Sequence, residues 1–348
     1  MSERRLRSAA ATAIAQLAFA FSLFGGPTRA DDVADFYKGR TFTVVSGHEV
    51  GTGYDIYARA LARHVGRHIP GNPNVLVQNV LGASGITPAN WLYNVAPRDG
   101  TVVATFVHTV PFEPLLGNGA AKFDPAKFTW IGNMDEGIGV CGVTKAAGIE
   151  TFDDMLVKET LIGASGATGP LGKYALAVKN LLGAKIKVVS GYQGSASVKL
   201  AMARGEVNGI CGVSLSTVTS QWRDDLESGA FKPVLQLSGG KRAELGTAKH
   251  VDDYARNDDE RALFGLVFGS QALGRLLVSP PNMPVARRDA LRAAVMATMA
   301  DPQFLAEAKK LQIDIGPMSG AEVEAFIGRI SASSPAVIAR AKQAYRHD

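Results

Sequence analysis

Residues 41–55 read TFTVVSGHEVGTGYD: an apolar β-branched run, a loop that contains Gly47, Gly51 and Gly53, and the start of a helical pattern. A strand that ends in a glycine-rich turn and opens a helix can bind an anion, because backbone N–H groups and the positive end of the helix dipole converge there. The dinucleotide fingerprint would need a glycine in place of Ile56, and the phosphate loop would need Gly-Lys-Ser/Thr where Gly53 is followed by Tyr54. The loop is therefore either a cradle for an anion smaller than a nucleotide or a plain strand-to-helix turn.

Short β-branched runs alternate with helical patterns along most of the chain. This alternation is typical of a parallel sheet that helices cover on both faces. The runs form two sets of similar size, separated by the glycine-rich residues 131–141, so we predict two α/β domains, each a mostly parallel sheet flanked by helices. The predicted strands cover residues 41–45, 74–80, 101–107, 159–165, 185–191, 208–214 and 232–238.

Several helices have clear signals of their faces and ends. In residues 54–69, Tyr57, Leu61 and Val65 recur every four residues and are expected against the sheet. The intervening stripe, which we expect in solvent, consists of Arg59, Arg63 and Arg67. Three helix starts are predicted in the C-terminal part, at Pro284, at the capping box of Ser319 and Glu322, and at Ser334-Pro335.

The first thirty residues have the pattern of a secretory signal peptide: a basic start, an apolar run over 9–23, and Thr28-Arg29-Ala30 before Asp31. We therefore expect export, with cleavage after Ala30. The apolar run is shorter than the roughly 20 residues that a membrane-spanning helix needs. This leader carries four arginines and one glutamate, so the formal charge of +5 falls to +2 in the mature chain. The basic composition therefore gives no reason to expect a nucleic-acid partner.

Two further strand-to-helix loops are similar in composition to the first. GASGATGPLG (163–172) and SGYQGSAS (190–197) are rich in Gly with Ser, Thr or Tyr, and none of the three loops carries Lys or Arg. In open α/β sheets, ligands bind beyond the carboxyl ends of the strands. The sequence therefore predicts a cleft in which N–H and hydroxyl donors, without a counter-ion, hold an anion of carboxylate size.

Seven sequence motifs follow one another in a specific order along nearly all of the predicted mature chain. They are GTGYD with ARALARHV (51–65), NVLVQNVLGASG (74–85), APRDGTVVATF (96–106), GASGATG (163–169), VVSGYQGSASVKLAMARGEVNG (188–209), RLLVSPPNMP (275–284) and ADPQFL (300–305). In this order they resemble the substrate-binding proteins of tripartite tricarboxylate transporters, the Bug-type periplasmic receptors. Each motif alone is weak, whereas the order of all seven is specific.

The resemblance implies a periplasmic solute-binding protein of the Venus-flytrap kind, type II-like, that presents a small organic carboxylate to integral-membrane permease subunits. It implies a discontinuous first domain, residues 31–137 plus 255–348, and an inserted domain, residues 138–254. We expect no enzyme activity, cofactor, metal or nucleic-acid partner, and we expect a monomer. The family's ligand loops fall on Gly51–Asp55, on the segment around Thr109, on Ser165–Thr168 and on Tyr192–Ser195.

The first loop departs from the family pattern, which is usually apolar and proline-containing before Gly-Gly-Gly-Thr-Asp. Here Glu49 adds negative charge beside the expected anion site, and Tyr54 replaces a small hydroxyl residue. A histidine that many members carry in GASGATG is also absent. These departures disfavour a polycarboxylate such as citrate and leave three ligands open: a monocarboxylate, an amino acid whose ammonium meets Glu49, or an aromatic acid stacked on Tyr54.

The predicted ligand-binding residues are Glu49, Gly51, Thr52, Gly53, Tyr54, Asp55, Thr109, Ser165, Gly166, Ala167, Thr168, Tyr192, Gly194 and Ser195. Within this set Asp55 has a different expected role. An acid in the first helical turn can accept backbone N–H bonds, so we expect Asp55 to fix the loop rather than contact the ligand.

Two alternative functions are an exported hydrolase with a Ser-based site and a ligand sensor that feeds a signalling partner. The hydrolase motif Gly-x-Ser-x-Gly is missed by one place around both Ser165 and Ser84. His64 and His68 lack the Glu of a zinc-protease helix and are interpreted as surface histidines. His48 and His108 lie near predicted strand ends and can face the cleft, but no acid–base partner is visible in the sequence.

The chain has two cysteines, Cys141 and Cys211. An even number of cysteines in an exported protein predicts a disulfide. The family resemblance places GIGVCGV and NGICGVS on adjacent strands of the inserted domain, which brings the sulfurs within plausible reach. The alternative is two buried free thiols that pack as small hydrophobes, because a cross-strand bridge has strict geometry.

Overall fold

The structure, a computed structural model, describes residues 29–48, 50–164, 170–192 and 194–346. Most of the predicted signal peptide, residues 1–28, lies outside this part of the chain. The first described helix begins at Arg29, just before the predicted cleavage point after Ala30. Within the described residues, no helix combines the length and the apolar character that crossing a membrane requires.

Strands and helices alternate as the sequence predicts. The strands are β1 Thr41–Ser46, β2 Asn74–Asn79, β3 Val102–Thr105, β4 Thr129–Asn133, β5 Gly139–Thr144, β6 Thr160–Ala164, β7 Ile186–Ser190, β8 Gly209–Ser214, β9 Phe231–Gln236, β10 Lys249–His250, β11 Leu276–Ser279 and β12 Met318–Ser319. The helices are α1 Arg29–Tyr37, α2 Gly53–Val65, α3 Ile86–Asn94, α4 Phe152–Met155, α5 Pro170–Leu182, α6 Ser195–Ala203, α7 Leu215–Ser220, α8 Arg223–Glu227, α9 Asp258–Val267, α10 Val285–Met299, α11 Pro302–Leu311, α12 Gly320–Ser331 and α13 Pro335–Ala344.

The strands form two six-stranded sheets. The first has the order β12-β4-β11-β3-β1-β2, and the second has the order β10-β9-β5-β8-β6-β7. In the first sheet β1 is parallel to β2 and β3, while β11 is antiparallel to β3 and β4. In the second sheet β6 is parallel to β7 and β8, while β5 is antiparallel to β8 and β9. The prediction of two α/β sheets flanked by helices is confirmed.

Both sheets are mixed. Among the described strands, β5, β11 and β12 run against their neighbours, and two of them, β5 and β11, have a common origin. β5 is the first strand after the chain leaves the first sheet, and β11 is the first strand after the chain returns from the second. Each enters its sheet from the side that faces the other sheet, so it runs against strands whose carboxyl ends point to that side. Strand-and-helix alternation in sequence carries no information about this reversal, because both directions give the same local pattern.

The first sheet takes its strands from both ends of the chain, and the second takes its strands from residues 139–250. The predicted domain boundaries at 137/138 and 254/255 fall in the two connections between the sheets, and the division into domains stays a prediction. The C-terminal helices reach across these connections. Helix α13 packs on both α9 and α5, and Asn180 of α5 donates to the carbonyl oxygen of Ala344 (3.1 Å).

The predicted helix ends are confirmed where side chains cap them. Ser319 and Glu322 form a capping box at α12, and the Ser334 hydroxyl accepts a hydrogen bond from the backbone N–H of Val337 at α13. Helix α10 begins immediately after Pro284. These signals are local hydrogen bonds or backbone constraints, so the sequence is sufficient to locate them.

Helix α2 buries its predicted apolar stripe, Tyr57, Leu61 and Val65. The opposite stripe is not simply in solvent, because Arg63 forms an ion pair with Glu307 of α11, and Arg67 forms one with Asp301 (2.6 Å).

The interpretation of His64 as a surface histidine is wrong. Only 8% of His64 is exposed, and its Nε2 lies 2.5 Å from Oε2 of Glu307. His68 Nε2 lies 2.8 Å from Oδ2 of Asp301. His64 therefore joins α2 to α11, and His68, in the turn after α2, contacts the N-cap residue of α11. The described residues contain no group of three or more His, Cys, Asp or Glu that could hold a metal.

Cys141 and Cys211 are register partners on the antiparallel strands β5 and β8, with Cα atoms 4.0 Å apart. Both side chains are fully buried, and the structure joins them in a disulfide. The bond links the first strand of the second sheet to its neighbour, 70 residues further along the chain.

Candidate functional site

The loop between β1 and α2 is held by Asp55, as its position in the first helical turn predicts. The Asp55 carboxylate is buried and accepts hydrogen bonds from the backbone N–H of Gly51 (2.9 Å), Nδ2 of Asn79 (2.7 Å) and Nε of Arg59 (2.8 Å). Burial raises the pKa of Asp55, but the bonds from Arg59, Asn79 and Gly51 outweigh it and the pKa falls below its ordinary value. Asp55 therefore fixes the loop as an ionised anchor.

Tyr54, which precedes Asp55, contacts one imidazole ring and one guanidinium group. The His48 ring stacks on the Tyr54 ring with centroids 4.0 Å apart, and the Arg275 guanidinium lies 4.3 Å from the same centroid. Arg275 also lies 4.7 Å from the Tyr57 ring. These contacts are cation–π and stacking interactions within the protein, and they bring the β1–α2 loop to the start of β11.

A chain of hydrogen bonds continues from Tyr54 to the second sheet. The Tyr54 hydroxyl lies 3.2 Å from Nδ1 of His108, and Nε2 of His108 lies 3.1 Å from the hydroxyl of Tyr174 on α5. The Tyr174 hydroxyl lies 3.1 Å from Oγ of Ser270. Burial, with the nearby charges of Arg275 and Lys173, lowers the pKa of His108 to about 3. The imidazole is therefore neutral at pH 7 and can donate through one nitrogen while accepting through the other.

Arg275 is a candidate site residue that the sequence analysis did not identify. Its Nη1 donates to the carbonyl oxygen of Gly274 (2.6 Å), while its Nε is buried without a hydrogen-bond partner. Within the described residues it forms no ion pair. The prediction of a site without a counter-ion considered only the three loops before α2, α5 and α6, whereas Arg275 lies before β11, at the start of RLLVSPPNMP. A single arginine before an apolar strand has no local signal that separates it from a surface residue.

Other buried polar atoms near the carboxyl ends of β1 and β3 also have no partner among the described residues. They are Oγ of Ser46, Oγ1 of Thr105 and Nε2 of His48. Ser46 and Thr105 are register partners on β1 and β3, so the two residues lie side by side in the sheet. Buried polar groups are almost always satisfied in native proteins, which makes such a group a marker for bound water or ligand.

Two adjoining cavities open between the sheets, and Arg275 lines the smaller of them. One of about 250 Å³ is lined by Gly53, Tyr57 and Arg275 and, from the second sheet, by Ser214, Ser216 and Thr217. The other, of about 340 Å³, is lined by Asp135, Glu136, Asp314, Leu215, Thr219 and Arg242, among others. Ser216 and Asp314 line both. The larger volume falls within the range of small-molecule sites.

The remaining predicted residues divide into two groups. The first group lies outside the described residues and consists of Glu49, Ser165, Gly166, Ala167 and Thr168. Thr109 belongs to neither group: it is described, follows His108 directly and is half-buried. The second group, Tyr192, Gly194 and Ser195, is not among the described residues that line the two cavities. The Tyr192 hydroxyl donates to Oε2 of Glu206 (3.4 Å), and the Gly194 N–H donates to Oγ of Ser197 (3.1 Å). Among the predicted residues that the structure describes, Gly53 lines a cavity together with Arg275, and Tyr54 contacts Arg275, His48 and His108 without lining either cavity.

Neither a protein-family model nor a curated protein matches the sequence. Solved structures do match its fold. A TctC solute-binding protein from Polaromonas has a TM-score of 0.68 at 18% identity, over 88% of this chain and 98% of its own. The periplasmic binding protein BugD has a TM-score of 0.61 at 18% identity, over 88% and 98%. MatC of Rhodopseudomonas palustris with bound malate has a TM-score of 0.59 at 16% identity, over 88% and 99%. The chain therefore has the two-lobed α/β fold of the TctC- and BugD-type periplasmic binding proteins, as its resemblance to them in sequence implied.

Proposed function

We propose that the protein is a periplasmic solute-binding protein that captures a small organic carboxylate in the cleft between its two sheets and delivers it to a tripartite tricarboxylate-type permease. The observation that carries this proposal is the Arg275 guanidinium, which faces the cleft without an ion pair in the described part of the chain. A charge that is withdrawn from water without a partner is costly, and a bidentate carboxylate is the partner that a guanidinium binds best.

Several features of the cleft suit such a ligand. Gly53 begins α2 beside Arg275 and lines the same cavity, so the positive end of this helix dipole adjoins the space that Arg275 faces. Side chains of Ser214 and Thr217 line the opposite wall. The proposed site also includes the Ser165–Thr168 loop and, on the first loop, Thr52 and Tyr54. The predicted signal peptide and the fold shared with periplasmic proteins support the proposed location.

A thermal-shift screen of small mono- and dicarboxylates tests the binding role. A carboxylate at a hundredfold its dissociation constant should stabilise the protein by about 2.7 kcal/mol. Arg275→Gln should abolish the shift. Arg288→Gln is the matched control, since Arg288 pairs with its neighbour Asp289 (2.8 Å) away from the cavities, and should retain it. A parent protein that no carboxylate stabilises, or an Arg275→Gln variant that binds as the parent does, would contradict the proposal.

Delivery to a permease needs a separate test. Cells that express a tripartite permease should take up the radiolabelled carboxylate only when the binding protein is present. Uptake that is unchanged by deleting the protein, with binding intact in vitro, would favour a sensor in place of a transport component.

A further inference from the structure

The larger cavity is acidic in a way that a carboxylate alone does not explain. Asp135, in the connection between β4 and β5, is only 8% exposed and lines this cavity. Asp314, after α11, lines both adjoining cavities. Glu136 forms an ion pair with Arg242 (3.0 Å), whereas among the described residues neither aspartate forms one. Glu244, an exposed residue that lines the same cavity, forms none either, so the described part of this cavity holds three carboxylates without a cationic partner, of which Asp135 alone is buried.

Arg275 and Asp135 face the same space without neutralising each other. Both line a small cavity of about 70 Å³, together with His108, yet they are further apart than an ion pair. Burial raises the pKa of Asp135 to about 6; the Arg275 charge opposes this rise, while Asp314 and Glu136 add to it. Nearby, the Tyr57 hydroxyl donates to the carbonyl oxygen of Asp314 (2.7 Å), which fixes that segment beside Arg275. Burial and the two neighbouring carboxylates therefore outweigh the opposing effects of Arg275 and of a hydrogen bond from the Tyr57 side chain on the pKa of Asp135.

We propose that the cleft binds an amino acid as a zwitterion, with the carboxylate on Arg275 and the ammonium between Asp135 and Asp314. This inference rests on the proposed function and specifies its ligand class. An amino acid supplies partners for Arg275 and for the buried Asp135 at once, which removes the cost of leaving these two charges unpaired, while the exposed Asp314 adds its negative charge beside the ammonium. The ammonium is then bound by Asp135, from the β4–β5 connection, and by Asp314, from the segment after α11. In this arrangement Glu49 of the first loop does not bind the ammonium.

Other ligand classes leave a charge uncompensated. A dicarboxylate would place its second carboxylate against Asp135 and Asp314, and like charges at close range are strongly disfavoured. A simple amine or a polyamine would satisfy the aspartates and leave Arg275 without a partner. The charge pattern therefore selects against both and in favour of a molecule with one charge of each sign.

Calorimetry with matched probes tests the inference. The L-amino acids are screened first, and each one that binds is compared with its des-amino acid and its decarboxylated amine, as leucine is with 4-methylpentanoate and 3-methylbutylamine. The amino acid should bind at least tenfold tighter than either analogue. Asp135→Asn should weaken the amino acid at least tenfold and leave the des-amino acid as tight or tighter. Asp289→Asn, which changes an exposed aspartate outside the cavities, should change neither.

The outcomes separate this inference from the proposed function. If des-amino acids bind as tightly as amino acids and Asp135→Asn weakens neither, the zwitterion inference is wrong while carboxylate capture stands. If no probe that carries a carboxylate binds, both are wrong. Circular dichroism and thermal unfolding of each variant show that it is folded, and Asp314→Asn gives a second, independent removal of negative charge.

Discussion

The carboxylate of Asp135 should cost stability at neutral pH, and replacing it with an isosteric amide should recover that stability. Asp135 lies in the connection between the sheets, 8% exposed, and burial with the nearby Asp314 and Glu136 charges raises its pKa to about 6, against the opposing charge of Arg275. In the unfolded chain the same carboxyl returns to the ordinary value of 3.8. At neutral pH the folded protein must therefore hold a carboxylate charge whose burial Arg275 and the Tyr57 hydrogen bond offset only in part.

The magnitude follows from the two pKa values. The difference between 3.8 and about 6, at about 1.4 kcal/mol for each pH unit, amounts to roughly 3 kcal/mol. Because the pKa is raised in the folded state, the contribution of the neutral carboxyl is fully present below pH 3.8 and is lost as the pH rises through about 6. Asp135→Asn keeps the neutral form at every pH. It should therefore unfold with roughly 3 kcal/mol more free energy than the parent at pH 8, and with little difference at pH 4.

Urea unfolding at several pH values between 4 and 8, without ligand, measures this difference. Asp35→Asn on α1 is the control, because that carboxylate is exposed and should give no comparable gap. A difference between Asp135→Asn and the parent that stays constant over this pH range would refute the reasoning. A variant no more stable than the parent at pH 8 would refute it equally.

Four further outcomes are expected. Gly53→Val should abolish carboxylate binding in calorimetry, because a Cβ at this position already lies 3.3 Å from Nη2 of Arg275; binding as tight as that of the parent would show that the loop is only a turn. Thr168→Ala should weaken binding by about 0.5–1.5 kcal/mol through the loss of one hydroxyl donor, and an unchanged dissociation constant would remove Thr168 from the site. Thiol titration of the denatured, unreduced protein should find no free thiol, and replacing Cys141 and Cys211 by serine should lower the free energy of unfolding by about 4 kcal/mol for a bridge across 70 residues; two free thiols per chain would exclude the bridge. Small-angle scattering should show a smaller radius of gyration with a saturating carboxylate, since only a closed cleft lets both lobes contact it, and an unchanged radius would count against closure.

The sequence was sufficient wherever the signal is local. The β1 run, the glycine loop and the start of α2 were predicted from fifteen consecutive residues, and the role of Asp55 followed from its place in the first helical turn. The caps at Ser319 and Ser334 are bonds between residues three apart. Such features depend on backbone preferences and on neighbours within one turn, and both can be read directly from the sequence.

Only the tertiary structure decided the charge pattern of the cleft. Asp135, Arg275 and Asp314 come from three separate connections, and they meet because the chain passes between two sheets and β11 enters the first one reversed. The same applies to His64, whose partner Glu307 lies on another helix. Strand direction and strand order are set by contacts between residues far apart in sequence. The local pattern that predicts a strand is the same whichever neighbouring strand it pairs with. The sequence therefore identifies the individual segments but does not show which segments come together to form the site.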